Sequence, residues 1–320
     1  MIDHLVETDD NPAPPGAVAG SFTAVDGRRL RYALFNETAS PRRGTVIVLH
    51  GRNECIEKYF ETVTDLAGRG LAVATFDWRG QGGSDRLIGD PARGFVDSFY
   101  DYVSDLETFF EQIVLPDSPG PYFVLGHSTG SLIALLASPL MVNRVERLVL
   151  VAPLLELHSP PVSTGAIRFV SGLLNNIGLG RLYMAGGGRP REIRPFEGNT
   201  LTTDRGRYER NAGIFRKAPN LGLGGPTVSW IHAFCRAAAV VTDAEFIADI
   251  HVPMLIVAAG ADEVVSNQAI ERFSHRLRSG KLVTIDGARH EILQEADVYR
   301  EQFFAAFDAF VPGNRDQSAA

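Results

Sequence analysis

The amino-acid sequence predicts an α/β protein with a doubly wound, mostly parallel sheet and an inserted helical cap. Three observations support this prediction. Short apolar runs alternate with segments of helical periodicity, as expected when helices cover both faces of a parallel sheet. The alternation stops after Pro153 and resumes near Val252, which predicts an insertion between two strands. A serine also stands between two glycines where an apolar run meets a helical one.

The first predicted element is a hairpin, followed by the buried strands of the sheet. Residues 22–25 and 30–34 flank Asp26 and Gly27, a pair that favours a tight turn. We expect this hairpin to add antiparallel strands at one edge of the sheet. Six later runs rich in Val, Ile and Leu predict strands covered on both faces, at residues 45–50, 71–77, 122–126, 147–153, 253–259 and 281–286.

The clearest predicted helix covers residues 98–114. Its apolar residues recur at spacings of three and four, while Asp101, Asp105 and Glu111 fall on the opposite side. Such an amphipathic helix is expected to pack one face against the sheet. The apolar positions are Phe99, Tyr102, Val103, Leu106, Phe109, Phe110 and Ile113.

The chain is predicted to divide into five segments. A disordered tail over residues 1–20 comes first, because this region has no basic start followed by an apolar run, as a signal peptide would have. The core then covers residues 21–155 and 245–312, interrupted by a cap at 156–244, and a second tail covers 313–320. A cap between two strand ends would lie over the carboxyl edge of the sheet, where open α/β sheets bind ligands.

Composition and charge narrow the possible partners and location. The chain is 45% hydrophobic, and its net charge of −7 argues against nucleic acid. Eleven Arg and Lys stand against five acids between Glu156 and Arg236, which gives this segment a charge of +6. No apolar run reaches the ~18 residues of a membrane-spanning helix, so membrane contact would be peripheral. Cys55 and Cys235 lack metal or redox spacing, and as buried free thiols they fit a cytosolic protein.

The glycine-flanked serine is predicted to be a nucleophile. In Gly126-His127-Ser128-Thr129-Gly130 the serine joins an apolar strand to an apolar helix. A sharp turn of this kind lifts the hydroxyl clear of the sheet, and glycines are needed where side chains would clash. The alternative interpretation is a glycine-rich turn that closes an αβ unit.

A nucleophilic serine needs a base and an acid that orients the base. Asp262 and His290 each follow a predicted strand, and their order after Ser128 is the one that this kind of site uses. Glu263 is an alternative acid. The other interpretations are a solvated loop acid for Asp262 and a loop histidine with satisfied hydrogen bonds for His290. For the oxyanion of the reaction, the backbone N–H groups of Thr129 and Arg52 are the predicted donors.

The sequence resembles the monoacylglycerol lipase and lysophospholipase branch of the α/β-hydrolases, and bacterial lysophospholipases most closely. The resemblance implies Ser128 as nucleophile, His290 as base, Asp262 as orienting acid and the amides of Arg52 and Thr129 as the oxyanion site. It also implies supporting roles for Asp77, Arg79 and Glu54. The motifs that carry it are Gly51-Arg52-Asn53-Glu54 with Lys58-Tyr59, Asp77-Trp78-Arg79-Gly80-Gln81-Gly82-Gly83-Ser84, the serine pentapeptide, Leu201-Thr202, Arg207-Tyr208-Glu209-Arg210-Asn211, Gly224-Gly225-Pro226-Thr227 before Trp230, and His290-Glu291-Ile292-Leu293.

The long side chain of Arg52 departs from many members of this branch, which have a small residue there. It could favour a phosphate-bearing head group near the entrance, or form a salt bridge with Glu54 or Glu57. The predicted reaction is two-step acyl transfer on a lipid or other small ester, without metal or cofactor, and the basic cap suits anionic lipid surfaces at the inner face of a membrane.

Four alternatives to a lysophospholipase are considered at the level of sequence. A monoacylglycerol lipase or a general carboxylesterase would use the same residues. An aminopeptidase is disfavoured because no acidic anchor for a substrate amine is evident in the cap. A ligand-binding receptor on the same scaffold is disfavoured by the complete set of catalytic residue types. The oligomeric state is left undetermined by the sequence.

Overall fold

The computed structural model describes residues 4–160, 162–184 and 195–312, and these form an open eight-stranded sheet with helices on both faces. The strand order is β1-β2-β4-β3-β5-β6-β7-β8. The pairs β1/β2 and β2/β4 are antiparallel, whereas every pair from β4 to β8 is parallel. The strands are β1 (Ala17–Thr23), β2 (Arg29–Phe35), β3 (Gly44–Leu49), β4 (Leu71–Phe76), β5 (Tyr122–His127), β6 (Arg147–Val151), β7 (Met254–Ala259) and β8 (Gly280–Ile285).

Ten α-helices occur in the described part of the chain. They are α1 (Phe60–Gly68), α2 (Phe99–Phe109), α3 (Leu115–Asp117), α4 (Thr129–Met141), α5 (Thr164–Leu174), α6 (Arg205–Lys217), α7 (Val228–Val241), α8 (Ala244–Ala248), α9 (Asn267–Ser274) and α10 (Asp297–Phe310). Short 3-10 or π segments cover Ile56–Tyr59, Phe110–Val114, Asn175–Leu179, Pro219–Leu221 and Ile292–Gln294. None of the described helices is long and apolar enough to cross a membrane.

The two faces of the sheet bury separate hydrophobic layers, because successive side chains of a strand point in opposite directions. In β3, Ile47 and Leu49 join the layer formed with α2, α4, α7 and α9. Val46 and Val48 join the opposite layer, which contains residues of α1 and α10. Every residue of β3, β4 and β7 is buried, as expected for parallel strands covered on both sides. The predicted doubly wound, mostly parallel fold is confirmed.

The N-terminal segment differs from the predicted disordered tail over residues 1–20. Strand β1 begins at Ala17 and pairs with β2 through Phe35. Further upstream, the backbone N–H of Val6 donates to Glu57 Oε1 at 3.0 Å, and Asn11 Nδ2 donates to the Glu57 carbonyl at 2.9 Å. These distant partners order residues 4–20 despite their tail-like composition. Residues 1–3 and the predicted tail 313–320 lie outside the described residues.

The segment between β6 and β7 carries helices α5 to α8, where the sequence predicts a cap. Helix α7 packs on α4 and α2, and Trp230, Phe234 and Val241 are part of the main hydrophobic layer. This helix therefore ties the insertion firmly to the core. The exact boundaries at residues 156 and 244 stay a prediction, and Arg189, Arg191 and Arg194, which contribute to the predicted basic charge, lie outside the described residues.

Candidate active site

Ser128 lies on a sharp turn between β5 and α4. Its φ is +51° and its ψ is −111°, a left-handed conformation that is unusual for a residue with a side chain. The turn is fixed because the Ser128 N–H donates to the Val151 carbonyl at 2.9 Å. Backbone strain of this kind persists only where the surroundings enforce it, and it is common at reactive residues.

The glycines on either side of Ser128 are required by close packing. A Cβ at Gly126 would lie 2.8 Å from backbone atoms of Ser131, and a Cβ at Gly130 would overlap the Leu49 carbonyl of the neighbouring strand. The helix can therefore start against the sheet only with glycine at both positions. This is the physical reason for the pentapeptide pattern that the sequence shows.

The structure brings Ser128, His290 and Asp262 into one hydrogen-bonded row. His290 Nε2 lies 3.0 Å from Ser128 Oγ, and His290 Nδ1 lies 2.8 Å from Asp262 Oδ2. All three residues are buried. They follow β5, β8 and β7, which run parallel, so that their carboxyl ends meet at one edge of the sheet.

The Asp262 carboxylate is held in place by backbone donors as well as by His290. Its Oδ1 accepts from the N–H groups of Val264 at 2.7 Å and Val265 at 2.9 Å. Burial alone would raise the pKa of Asp262, but the hydrogen bond and charge of His290, with these two amides, lower it. Glu263, the alternative acid, is exposed and is not the residue that contacts His290.

The two predicted oxyanion donors lie at the same edge of the sheet. Thr129 is the first residue of α4, where an N–H has no carbonyl partner inside its own helix. Arg52 follows β3 in a loop that its neighbours fix: the Gly51 N–H donates to Glu54 Oε2 at 2.6 Å, and the Asn53 N–H donates to Gln81 Oε1 at 2.8 Å. These hydrogen bonds hold the loop in one conformation at the edge of the sheet that carries Ser128, as an oxyanion site would require.

A buried charge cluster joins the Arg52 loop to the His290 loop. Lys58 Nζ donates to Glu54 Oε1 at 2.8 Å and to Glu291 Oε1 at 2.6 Å. Burial would raise the pKa of Glu54, but the charges of Lys58 and His127 hold it well below its usual value. The His127 ring bridges this cluster and the backbone, since its Nδ1 lies 3.2 Å from Glu54 Oε1 and its Nε2 lies 3.1 Å from the His290 carbonyl oxygen.

The roles of Glu291 and His127 in this cluster are missed by sequence reasoning. Both residues adjoin a candidate catalytic residue in the chain, which is the only local signal. Glu54 has the supporting role that the resemblance implies, and it also accepts from Tyr59 Oη at 2.7 Å.

A second buried cluster supports the loop after β4. Asp77 Oδ2 accepts from Arg31 Nε at 2.7 Å and from the Gly83 N–H at 2.7 Å. Burial would raise the pKa of Asp77, but the Arg31 and His50 contacts lower it to about 2. Arg79 donates to both carboxylate oxygens of Asp105 at 2.6 Å. Arg31 is fully buried, and no sequence signal marks it for this role.

The Arg52 side chain forms neither of the salt bridges that the sequence suggests, with Glu54 or with Glu57. Its Nη2 donates to the Gly224 carbonyl of the cap, and its guanidinium carbon lies 5.5 Å from the centroid of the Trp230 ring. Glu54 and Glu57 are instead occupied by Lys58 and Arg31. Since the two acids already have cationic partners, Arg52 is left at the boundary between core and cap.

No group of three or more His, Cys, Asp or Glu side chains that could hold a metal ion occurs among residues 4–160, 162–184 and 195–312. The two cysteines, Cys55 and Cys235, are both buried and free. Burial raises the pKa of each thiol, so neither is an activated nucleophile. The candidate reactive groups among the described residues are therefore those of the Ser128 row.

Comparison with known proteins places the chain in a family. The family model described as "Serine aminopeptidase, S33" matches residues 40–297. Lysophospholipase L2 of Escherichia coli strain K12 is 34% identical over 289 residues, which cover 87% of this chain and 83% of that protein. A probable lysophospholipase L2 of Haemophilus influenzae is 30% identical and covers 88% of each chain.

Solved structures share the fold. A soluble variant of monoglyceride lipase from Saccharomyces cerevisiae, in complex with a substrate analog, superposes with a TM-score of 0.74 at 22% identity. The match covers 95% of this chain and 98% of that one. The predicted resemblance to the monoacylglycerol lipase and lysophospholipase branch is confirmed by these relatives.

Proposed function

The chain belongs to the serine aminopeptidase S33 family, and we propose that it is a serine hydrolase that cleaves carboxylic esters of lipids, specifically a lysophospholipase. The observation that carries this proposal is the hydrogen-bonded row from Ser128 through His290 to Asp262. The substrate class is supported by the lysophospholipases L2, which are similar to this chain over most of its length.

In the first step, Ser128 Oγ attacks the ester carbonyl carbon while His290 Nε2 accepts the hydroxyl proton. Asp262 accepts from His290 Nδ1–H, which fixes the ring tautomer and stabilises the imidazolium that forms. The backbone N–H groups of Arg52 and Thr129 donate to the oxygen that becomes negative. One such donor contributes ~3 kcal/mol to transition-state stabilisation in comparable sites.

The tetrahedral intermediate collapses by breaking the bond between the acyl carbon and the alcohol oxygen. His290 donates its proton to that oxygen, and the glycerophosphodiester leaves as the alcohol. Water then attacks the acyl group on Ser128 as His290 accepts a proton from it. Collapse of the second intermediate returns this proton to Ser128 Oγ and releases the fatty acid.

An ester substrate fits the cap better than a peptide with a free amine does. Among the described acidic residues of the cap region, Glu156 pairs with Arg272, Glu197 and Glu209 pair with Arg205, and Asp204 pairs with Arg207, while Asp243 caps α8 by accepting from the Glu245 N–H at 2.9 Å. An aminopeptidase needs a carboxylate that is available to the substrate ammonium group. The pairing of these acids supports lipid esters over N-terminal peptides, despite the family's description.

The cap also presents an apolar surface suited to contact with lipid. Phe169, Leu173 and Ile177 follow one another at spacings of four and are 72%, 54% and 62% exposed. Arg168 and Arg181 are exposed nearby in the chain. An apolar helix face with basic neighbours is the pattern of helices that lie in a membrane interface. The protein therefore takes its substrate from a lipid surface by peripheral contact through the cap.

The central experiment compares Ser128→Ala with Ser138→Ala. Ser138 is also buried and lies on α4, ten residues after Ser128, so it controls for the loss of a buried hydroxyl. Removing the nucleophile should lower kcat by ~10⁶-fold, while the control retains turnover. Two quantities are measured, the release of fatty acid and the burst of acyl-enzyme. The substrates are lysophosphatidyl lipids and monoacylglycerols with the same acyl chain, and short esters.

Two outcomes would contradict the proposal. Retained turnover in Ser128→Ala would exclude Ser128 as the nucleophile. A wild-type kcat/KM that is higher for monoacylglycerols than for lysophosphatidyl lipids would instead identify a monoacylglycerol lipase, with the same catalytic row.

A further inference from the structure

Four side chains, three of them buried and Arg52 half-buried, meet at the boundary between core and cap with polar atoms that have no well-aligned hydrogen-bond partner among the described residues. The atoms are Arg52 Nε, Trp230 Nε1, Tyr102 Oη and Gln81 Nε2. Trp230, Tyr102 and Gln81 are 4%, 0% and 2% exposed. Buried polar groups are nearly always hydrogen-bonded, so several unpaired ones in one place require an explanation, such as a ligand.

These four side chains form one cluster, although they come from different elements. Arg52 follows β3, Gln81 follows β4, Tyr102 lies on α2, and Trp230 lies on α7 of the cap. The guanidinium carbon of Arg52 is 5.5 Å from the Trp230 ring centroid. Burial raises the pKa of Tyr102 to about 12, while hydrogen-bonding contacts from Trp230 and Gln81 and the charge of Arg52 act against this rise. Trp230 and Gln81 thus lie within hydrogen-bonding reach of the Tyr102 hydroxyl, but their alignment is poor, and Arg52 Nε has no hydrogen-bond partner among the described residues.

The chemistry of the cluster selects an anion. Arg52, Trp230 and Gln81 offer N–H donors, and the Tyr102 hydroxyl can donate as well. Within the described ranges, Arg52 has no carboxylate partner, and its Nη2 meets only the neutral Gly224 carbonyl. Burial lowers the pKa of Arg52 to about 10, which still leaves the guanidinium charged at neutral pH. A desolvated cation beside poorly paired donors is suited to a charged, multidentate acceptor such as phosphate.

The position of Arg52 relates this cluster to the ester under attack. Its backbone N–H is one of the two proposed oxyanion donors, and five bonds of its side chain separate Cα from the guanidinium carbon. In a lysophospholipid with its acyl group on the first glycerol carbon, six bonds separate the ester carbonyl carbon from phosphorus. Both spans reach about 6 to 7 Å when extended. A substrate whose carbonyl sits at the Arg52 amide can therefore place its phosphate at the Arg52 side chain.

We propose that Arg52, Trp230, Tyr102 and Gln81 form the subsite that receives the head-group phosphate of a lysophospholipid. This inference rests on the proposed lipid ester hydrolysis and assigns its head-group specificity. Phosphate displaces the Gly224 carbonyl as acceptor, because a charged acceptor forms the stronger hydrogen bond with a guanidinium. A monoacylglycerol has a hydroxyl in place of the phosphate and gains no such contact.

The first test measures the ratio of kcat/KM for a lysophosphatidyl lipid to that for the monoacylglycerol with the same acyl chain. In Arg52→Gln the ratio should fall roughly 10- to 100-fold. In Trp230→Phe, which keeps the ring and loses only the N–H, the fall should be several-fold. A ratio within each variant cancels any effect on the oxyanion loop, since both substrates use that loop equally.

Arg93→Gln is the matched control. Arg93 also joins core to cap, because its Nη1 donates to the Arg181 carbonyl at 2.7 Å, but it has an ion pair with Asp90 at 3.2 Å. This variant should leave the ratio unchanged. If Arg52→Gln lowers both kcat/KM values equally, or if Arg93→Gln lowers the ratio as much, the cluster merely fastens the cap and the proposal is wrong.

A second test does not depend on the identity of the substrate. Glycerol 3-phosphate should competitively inhibit hydrolysis of a short neutral ester, and Arg52→Gln should weaken this inhibition at least tenfold. Inhibition that is equally strong with inorganic phosphate would assign the site to free phosphate and overturn the head-group assignment. If the wild-type protein cleaves no lysophospholipid but shows Arg52-dependent inhibition by glycerol 3-phosphate, the proposed function fails and the subsite stands.

Discussion

Arginines shielded from solvent have different surroundings in the core, where Arg31 is fully buried, and at its boundary with the cap, where Arg52 is half-buried. In the core, Arg31 Nη1 lies 2.7 Å from Glu57 Oε1 and its Nη2 lies 2.6 Å from Asp77 Oδ2. At the boundary, Arg52 contacts a carbonyl oxygen and an aromatic ring among the described residues. Desolvation costs several kcal/mol per ion unless opposite charges and hydrogen bonds offset it. The comparison indicates that core charges hold the structure, whereas the boundary charge is available to a ligand.

The largest effect on activity is expected from the Asp262 carboxylate, the buried charge that contacts His290 directly. Asp262→Asn should lower kcat by ~10⁴-fold, because an amide no longer holds the tautomer of His290 in which Nε2 accepts a proton. The measurement is kcat for a short ester, with Glu263→Gln as the adjacent control. A loss below roughly tenfold in Asp262→Asn, with a larger one in the control, would make Glu263 the acid.

The comparison of core and boundary is tested most directly by removing one cation from each. Lys58→Met leaves Glu54 and Glu291 buried without their shared cation, and we expect a loss of about 3–5 kcal/mol in the free energy of unfolding. Arg52→Met leaves no buried carboxylate without a cation, so the free energy of unfolding should fall by no more than about 1 kcal/mol. Urea unfolding of both variants provides the measurement. Equal losses would show that Arg52 is as structural as Lys58.

The contact between core helix α1 and cap helix α6 should depend on pH. Burial would raise the pKa of Glu61, but hydrogen bonds from Arg207 and the charges of Arg300 and Arg210 lower it to about 2 from an ordinary value of 4.5. Because the folded pKa is the lower one, the stabilisation is fully present above pH 4.5 and is lost as pH falls toward 2.

Glu61→Gln removes this dependence. At neutral pH the variant should be less stable by about 1 to 2 kcal/mol, and the difference should shrink as the pH approaches about 3. Thermal unfolding of both proteins across this range measures it. A difference that stays constant with pH would show that the charge of Glu61 does not stabilise the cap.

The smallest effect concerns the exposed apolar face of the cap. Phe169→Ser with Leu173→Ser should reduce partitioning onto anionic vesicles about tenfold, because less apolar surface enters the interface. Sedimentation with vesicles provides the measurement, and kcat/KM on a short monomeric ester should be unchanged. Val298→Ser is a control, since Val298 is 59% exposed but lies on α10 of the core. Equal loss in this control would contradict contact through the cap.

Much of the candidate site follows from local sequence patterns. Ser128 is marked by its glycines, and Asp262 and His290 are marked by the apolar strands before them. No local sequence pattern predicts which residues pair with a buried charge. Lys58 and Glu291 form an ion pair although they are 233 positions apart in the chain. A disordered tail is predicted over residues 1–20 for the same reason, since nothing near Val6 reveals that Glu57 will accept its N–H.

The sequence by itself determined the parallel sheet, the serine turn and the order of the residues that follow the strands. These features depend on apolar periodicity and on the small size of glycine, which act over a few residues. Only the tertiary structure decided which carboxylate meets which cation, and that Arg52 turns toward Trp230 instead of Glu54 or Glu57. Such pairings depend on distances between separate elements, and these distances are set only when the whole sheet and its cap have packed.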